Sequence, residues 1–133
     1  KNFKFTTPPS ALPIGRNHGD FSVSNMIFSD SYYLVDFLDN IFDTPINDIV
    51  KLRQDSKHKF YFTLSQKFNI KVDSVLDKID KEVNLNFKDI IQSDEFRYLS
   101  ILNLARILPY SKSEEETNAI LKAVNELNTT SSG

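Results

Sequence analysis

Glycine occurs three times in 133 residues, at Gly15, Gly19 and Gly133, and this scarcity constrains the chain more than any other feature. Loops that wrap a phosphate in bare backbone need glycines at fixed intervals, so neither G-x-G-x-x-G nor G-x-x-x-x-G-K-S/T can be written here. Cysteine is absent, which removes thiol nucleophiles, disulfides and cysteine-ligated zinc and points to a reducing compartment, with a cytoplasmic location expected. Two histidines, His18 and His58, cannot form a multi-histidine metal site, whereas oxygen-ligated magnesium stays open. Sixteen Lys and Arg against 18 Asp and Glu give a net charge of -2. That balance carries no electrostatic footprint for nucleic acid or an anionic membrane, so neither is an expected partner.

A chain of this length suits one domain, and no apolar run approaches the roughly 20 residues that span a bilayer. The start, Lys1-Asn2-Phe3-Lys4-Phe5, has no initiator Met and no signal-peptide core, and suggests a chain beginning mid-gene. Residues 129–133 are expected to be a disordered tail and are set apart from the folded region, 1–128. Pro8, Pro9, Pro13 and Gly15 predict an extended, turning lead-in over residues 1–17. Residues 26–28 and 32–35 are β-prone and flank Ser29-Asp30-Ser31, which predicts a small hairpin. From residue 43 onward the pattern is helical. Pro45 suits a first turn leading into Ile46, Ile49, Val50 and Arg53, and a second segment runs through Phe60, Phe62, Leu64 and Phe68. Asp73 opens a segment with Val75, Leu76, Ile79 and Val83 on one face. Asp94 opens another, with Phe96, Leu99, Leu102, Ala105 and Leu108, stopped by Pro109. Ser113 to Glu116 has the capping-box form S-x-x-E, ahead of Ala119, Ile120, Ala123, Val124 and Leu127. The expected fold class is mainly α with one small β-hairpin.

The chemistry is concentrated in His18-Gly19-Asp20-Phe21-Ser22-Val23-Ser24-Asn25, followed by the hairpin and then Val35-Asp36-Phe37. The pattern H-G-D-x-x-x-x-N fixes four residue types and would arise by chance in a chain this size about once in 10³. Its order and spacing are those of a kinase catalytic loop and metal-binding segment. Phosphoryl transfer needs a carboxylate to orient the attacking hydroxyl and oxygen ligands to hold magnesium on the nucleotide phosphates. Asp20 fits the first role, and Asn25 with Asp36 the second. The hairpin returns the chain so that Asn25 and Asp36 face one another, where a single metal can bridge them.

On these residues the chain resembles the aminoglycoside phosphotransferase and choline kinase group of the protein-kinase-like superfamily. H-G-D in place of H-R-D is similar to the small-molecule branch. Thr44-Pro45-Ile46-Asn47-Asp48-Ile49-Val50 resembles the family's D-P-x-x-D-[LI]-[AV] segment, with Thr44 standing where the family often has Asp and Leu38 where protein kinases have Gly. The motif match covers about residues 17–50. It implies a C-terminal catalytic lobe whose N-terminal nucleotide lobe, with its phosphate-covering loop and strand lysine, is absent from this chain. It implies ATP as co-substrate, Mg²⁺ held by Asn25 and Asp36, Asp20 as the catalytic carboxylate, and Asp48 bracing the catalytic loop. A small-molecule substrate (a sugar, an amino alcohol or an aminoglycoside-like compound) would be the acceptor. About eight residues separate Asp36 from Pro45, too few for a long phosphorylatable activation loop.

Each of these residues also has a plain structural reading. Asp20 after a glycine, or Asp36 after the apolar Tyr33-Leu34-Val35, could be a turn residue, and Asp48 an ordinary first-turn carboxylate stabilised by the helix dipole. His18 is expected to order the loop through hydrogen bonds rather than carry a proton. Asp39 and Asp43 lie where an acceptor would approach, or form a solvated acidic loop. Arg53, Lys57, Lys59 and Arg97 are expected to face water and are assigned no site. Phe60, Tyr61, Phe62 and Phe68 are expected in the core. The competing functional reading is a catalytically silent kinase-like helical module that works in binding or scaffolding.

Overall fold

In a computed structural model the described residues are 7–39, 42–60 and 69–129. They form a mostly helical fold with a two-stranded antiparallel sheet, as the residue pattern predicts. An extended lead-in reaches a short 3-10 turn at Val23–Asn25, and strands β1 (Met26–Phe28) and β2 (Tyr32–Leu34) follow. Met26 pairs with Leu34, Ile27 with Tyr33 and Phe28 with Tyr32. The Ser29 N–H donates to the Ser31 carbonyl at 2.8 Å, which closes the tight turn that Ser29-Asp30-Ser31 predicts.

The helices are α1 (Ile46–Ser56), α2 (Ile70–Asn86), the single turn α3 (Lys88–Ile91), α4 (Asp94–Ile107) and α5 (Glu114–Thr129). Their starts follow from capping chemistry, with differences from the sequence reading. Helix α2 begins three residues ahead of Asp73, because Asn69 accepts from the Lys71 and Val72 N–H groups and so satisfies donors that would otherwise be left open. Asp73 instead sits in the first turn, paired with Lys59. Ser93 caps α4 through Phe96 N–H, and Pro109 lies in a 3-10 turn, Leu108–Tyr110, just past its end. At α5, Ser113 Oγ accepts from Glu116 N–H at 3.1 Å as a capping box requires. The Glu116 carboxylate reaches back to Lys112 N–H, one residue earlier than the box prescribes.

The core lies on both sides of α4. Phe96 and Leu99 pack with Ile46, Ile49 and Val50 of α1 and Val83 of α2. Ile101 and Leu104 pack with Ile120, Ala123 and Val124 of α5, and with Phe60. A helix buried on two faces has no single apolar stripe, so Ile101 lies outside the predicted face yet is fully buried. Val75 is exposed and Leu76 supplies the buried contact on α2. Residues 61–68, and with them the predicted positions of Tyr61, Phe62, Leu64 and Phe68, lie outside the described residues.

Arg53 does not face water. It is buried, with Nε 3.1 Å from Asp80 Oδ1 on α2. Ser56 Oγ and Asn84 Nδ2 also donate to the half-buried Asp80 carboxylate, so three side chains satisfy the acceptor side of the ion pair. This knot fixes α1 against α2. Among the described residues no helix is long and apolar enough to cross a membrane.

Candidate functional site

The predicted catalytic loop lies across one polar stripe of α1. That helix turns its apolar positions, Ile46, Ile49 and Val50, to the core. Asp48, Lys51 and Asp55, spaced so that they rise along one helical face, grip the loop. The Asp48 carboxylate accepts from the N–H of His18 at 2.7 Å and of Gly19 at 3.1 Å. Lys51 Nζ lies 2.9 Å from Asp20 Oδ1. Asp55 Oδ2 accepts from Val23 N–H at 2.8 Å. The sequence reading includes Asp48 but not Lys51 or Asp55. The signal for both was the polar spacing within an otherwise apolar helix start.

The electrostatics follow from that stripe. Lys51 and Asp55 are almost wholly buried, and burial pushes the Asp55 carboxyl up from its ordinary value, opposed by the Val23 N–H and the Lys51 charge and reinforced by Asp20. Asp55 therefore feels one ammonium that favours its charged form and one carboxylate that opposes it. Asn25 contributes from the other side, its Nδ2 donating to the Asp20 carbonyl at 2.9 Å and to Asp20 Oδ2 at 3.2 Å. Each Asp20 carboxylate oxygen thus has a named partner, which fixes its orientation while 30% of the side chain stays exposed.

Gly19 is required by the approach of the Asp36 segment. Its φ is +82°, and a Cβ there would lie 1.9 Å from the Leu38 carbonyl oxygen. The Leu38 N–H donates to the His18 carbonyl at 3.0 Å. Phe37 packs on the His18 ring, tilted by 31° with centroids 4.2 Å apart. His18 is buried, its Nδ1 accepting from Asp20 N–H at 3.4 Å. Its Nε2 is buried without a partner.

Asn25 and Asp36 close the same end of the hairpin. The Val35 N–H donates to the Asn25 carbonyl at 3.0 Å, continuing the ladder one pair beyond Met26 and Leu34. Asp36 follows directly, exposed and at φ +58°. A non-glycine residue in left-handed backbone is strained by roughly 1–2 kcal/mol, and such strain clusters where a side chain must be aimed. Among the described residues no group of three or more His, Asp and Glu comes together as a metal cage. The donor set at this end is one amide and one carboxylate. With Nδ2 engaged by Asp20, the Asn25 amide has its oxygen left to offer, and two hard oxygens suit a magnesium ion that takes its other ligands from phosphates and water.

An open cleft runs past Ile14, Arg16, Phe37, Leu38, Asp39 and Asp43. Large apolar side chains of the hairpin and the segment after it, including Phe28, Tyr32, Phe37 and Leu38, stand more than half exposed. Lys59 pairs with Asp73 and Asp77, and Arg97 with Asp94, all remote in sequence from the loop. Comparison of the chain with known protein families, with characterised proteins and with solved structures gives no match.

Proposed function

We propose that this chain carries the catalytic lobe of an ATP-dependent phosphotransferase that phosphorylates a hydroxyl group of a small molecule. The observation that carries the reading is the held carboxylate of Asp20, fixed by Lys51 and Asn25 within a loop whose backbone is tied to α1 by Asp48 and Asp55. A carboxylate so placed orients an acceptor hydroxyl and takes its proton as the oxygen–phosphorus bond forms and the bond from the γ-phosphorus to the bridging oxygen of ATP breaks. Asn25 and Asp36 would hold Mg²⁺, which neutralises charge on the phosphates when bound. His18 supports the loop by packing and hydrogen bonding, and Asp48 by its two backbone contacts.

The test is thermal unfolding of the full chain with and without Mg-ATP, beside Asp36→Asn and Asp20→Ala. A ligand at 100-fold its Kd stabilises by about 2.7 kcal/mol, a shift of several degrees. The expected result is a magnesium-dependent shift that Asp36→Asn abolishes and Asp20→Ala retains, with phosphoryl transfer in Asp20→Ala lowered ~10²–10⁴-fold. No shift in the parent would refute the nucleotide site and favour the reading as a silent binding module, to which the exposed apolar hairpin would then belong.

A further inference from the structure

Behind the catalytic loop, between it and the facing sides of α1 and α4, lies a pocket of about 110 Å³ that no part of the phosphate or metal machinery occupies. Gly19 and Leu99 line it together with four polar side chains, Asn47, Lys51, Asn103 and Arg106. No Asp or Glu is among its lining residues, and of its two cations Lys51 is paired with Asp20 while Arg106 faces the pocket mouth. Arg106 is exposed and, among the described residues, enters no ion pair. Asn47 is 7% exposed, and its Nδ2 is buried with no hydrogen-bond partner. A buried amide donor without an acceptor costs free energy that an incoming oxygen would recover. The Asn103 amide nitrogen is engaged by Gln54 Oε1, leaving the Asn103 oxygen to accept from a hydroxyl.

We propose that this pocket binds an oxyanionic group, a carboxylate or a phosphate, carried by the acceptor molecule whose hydroxyl meets Asp20. The inference rests on the phosphotransferase reading and narrows it to anionic hydroxylated acceptors. Three features point the same way. The planar fork of Arg106 matches two oxygens of such a group. The unpartnered Asn47 donor requires an acceptor. Lys51 lines the pocket and also reaches Asp20 Oδ1 at 2.9 Å, so a bound anion lies within one side chain of the catalytic carboxylate. A cationic amino alcohol would meet the exposed guanidinium of Arg106 here, and the nearest carboxylate, Asp20, is already engaged by Lys51.

The pocket is tested first with inorganic phosphate at constant ionic strength, following the asparagine side-chain amide resonances of the full chain by NMR. The Asn47 and Asn103 signals are expected to move saturably with a Kd on the order of millimolar, with the same Kd in Asp36→Asn and one raised ~10-fold in Arg106→Gln. Unmoved amides, or an unchanged Kd in Arg106→Gln, would overturn the site. The source of the anion is tested with Mg-ATP and two matched acceptors, glycerate and glycerol. The expected kcat/KM ratio favours glycerate by ~10-fold or more and collapses to within about 2-fold in Arg106→Gln. Phosphate binding without a glycerate preference would mean the pocket takes free phosphate, and would overturn its role toward the acceptor. Transfer to neither acceptor overturns that role too. Failure of the phosphotransferase reading itself would show separately, as loss of the Mg-ATP thermal shift while the phosphate titration still reports on the pocket.

Discussion

Replacing Asp48 by Ala removes one carboxylate and strands two backbone donors. His18 and Gly19 are both buried, and their N–H groups reach the Asp48 oxygens at 2.7 and 3.1 Å. A buried donor left without a partner costs about 1–3 kcal/mol, so the two together set a range of about 2–6 kcal/mol. The truncated side chain leaves room for water to satisfy one of them, and Asp48 also contributes a first-turn dipole term of about 0.3–1 kcal/mol. The expected loss is therefore about 2–4 kcal/mol in urea unfolding. Asp48→Asn keeps one acceptor but turns an NH₂ toward the second donor, and is expected to lose about 1–3 kcal/mol. Amide exchange separates the tether from the dipole, because only the tether protects His18 and Gly19 individually. Both amides are expected to exchange faster in Asp48→Ala while the α4 amides slow or quicken only with global stability. A loss below about 1 kcal/mol with unchanged exchange at His18 and Gly19 would refute the argument.

Gly19→Ala places a methyl carbon 1.9 Å from the Leu38 oxygen at φ +82°, and is expected to cost about 3 kcal/mol or more, seen as a lowered melting temperature; an unchanged temperature would mean the two segments do not meet so closely. At Asp36, held at φ +58°, a change to Gly is expected to leave stability within about 0.5 kcal/mol, because relief of left-handed strain offsets the entropy of the freer chain. Asp36→Val should lose well over about 1 kcal/mol at the same exposed position, and equal urea midpoints for the two variants would remove the strain argument. His58 is held neutral chiefly by burial, aided by Lys57 and Arg53, with its pKa lowered from 6.5 to about 4. The unfolded chain takes up that proton near pH 6.5 and the folded chain not until about pH 4, so stability falls as pH drops through this window and returns as pH rises. The difference is up to about 3 kcal/mol, and His58→Phe should flatten the slope in urea titrations between pH 4 and 7; an unaltered slope would assign it to other groups.

Local chemistry made the hairpin and the helix ends legible. Ser29-Asp30-Ser31 cannot continue a strand, and Ser113 with Glu116 carries its own cap, so these elements could be written down before any tertiary contact was known. The start of α2 is ambiguous in sequence because Asp73 and Asn69 are both competent caps; Asn69 takes the role by accepting from two N–H groups, and Asp73 in the first turn pairs with Lys59. Ile101 is not legible as a core residue because burial of α4 from two sides erases a one-sided stripe, whereas Leu76 lies buried on its expected face and only its neighbour Val75 turns outward. At the site, Asp20, Asn25 and Asp36 stand out through motif spacing, and Asp48 through the family resemblance of its segment. Lys51 and Asp55 do not, since a charged residue in a helix ordinarily faces solvent. What buries them is the loop they bind, which is brought there by contacts spanning about 30 positions of sequence. The same holds for Arg53, whose partner Asp80 lies on another helix.

The stripe of Asp48, Lys51 and Asp55 makes the geometry of Asp20 an output of helical phase. Each residue added to or removed from α1 rotates everything beyond it by about 100°, which would swing Lys51 and Asp55 off the loop even though every side chain remained in the chain. Length in this helix is therefore as constrained as identity. The turn at Ser29–Ser31 carries no such constraint, because it is exposed and, among the described residues, no hydrogen bond ties it to Asp48, Lys51 or Asp55. Variation in this fold should accordingly concentrate as insertions at the hairpin tip and as substitutions, never as changes of length, between residues 46 and 56.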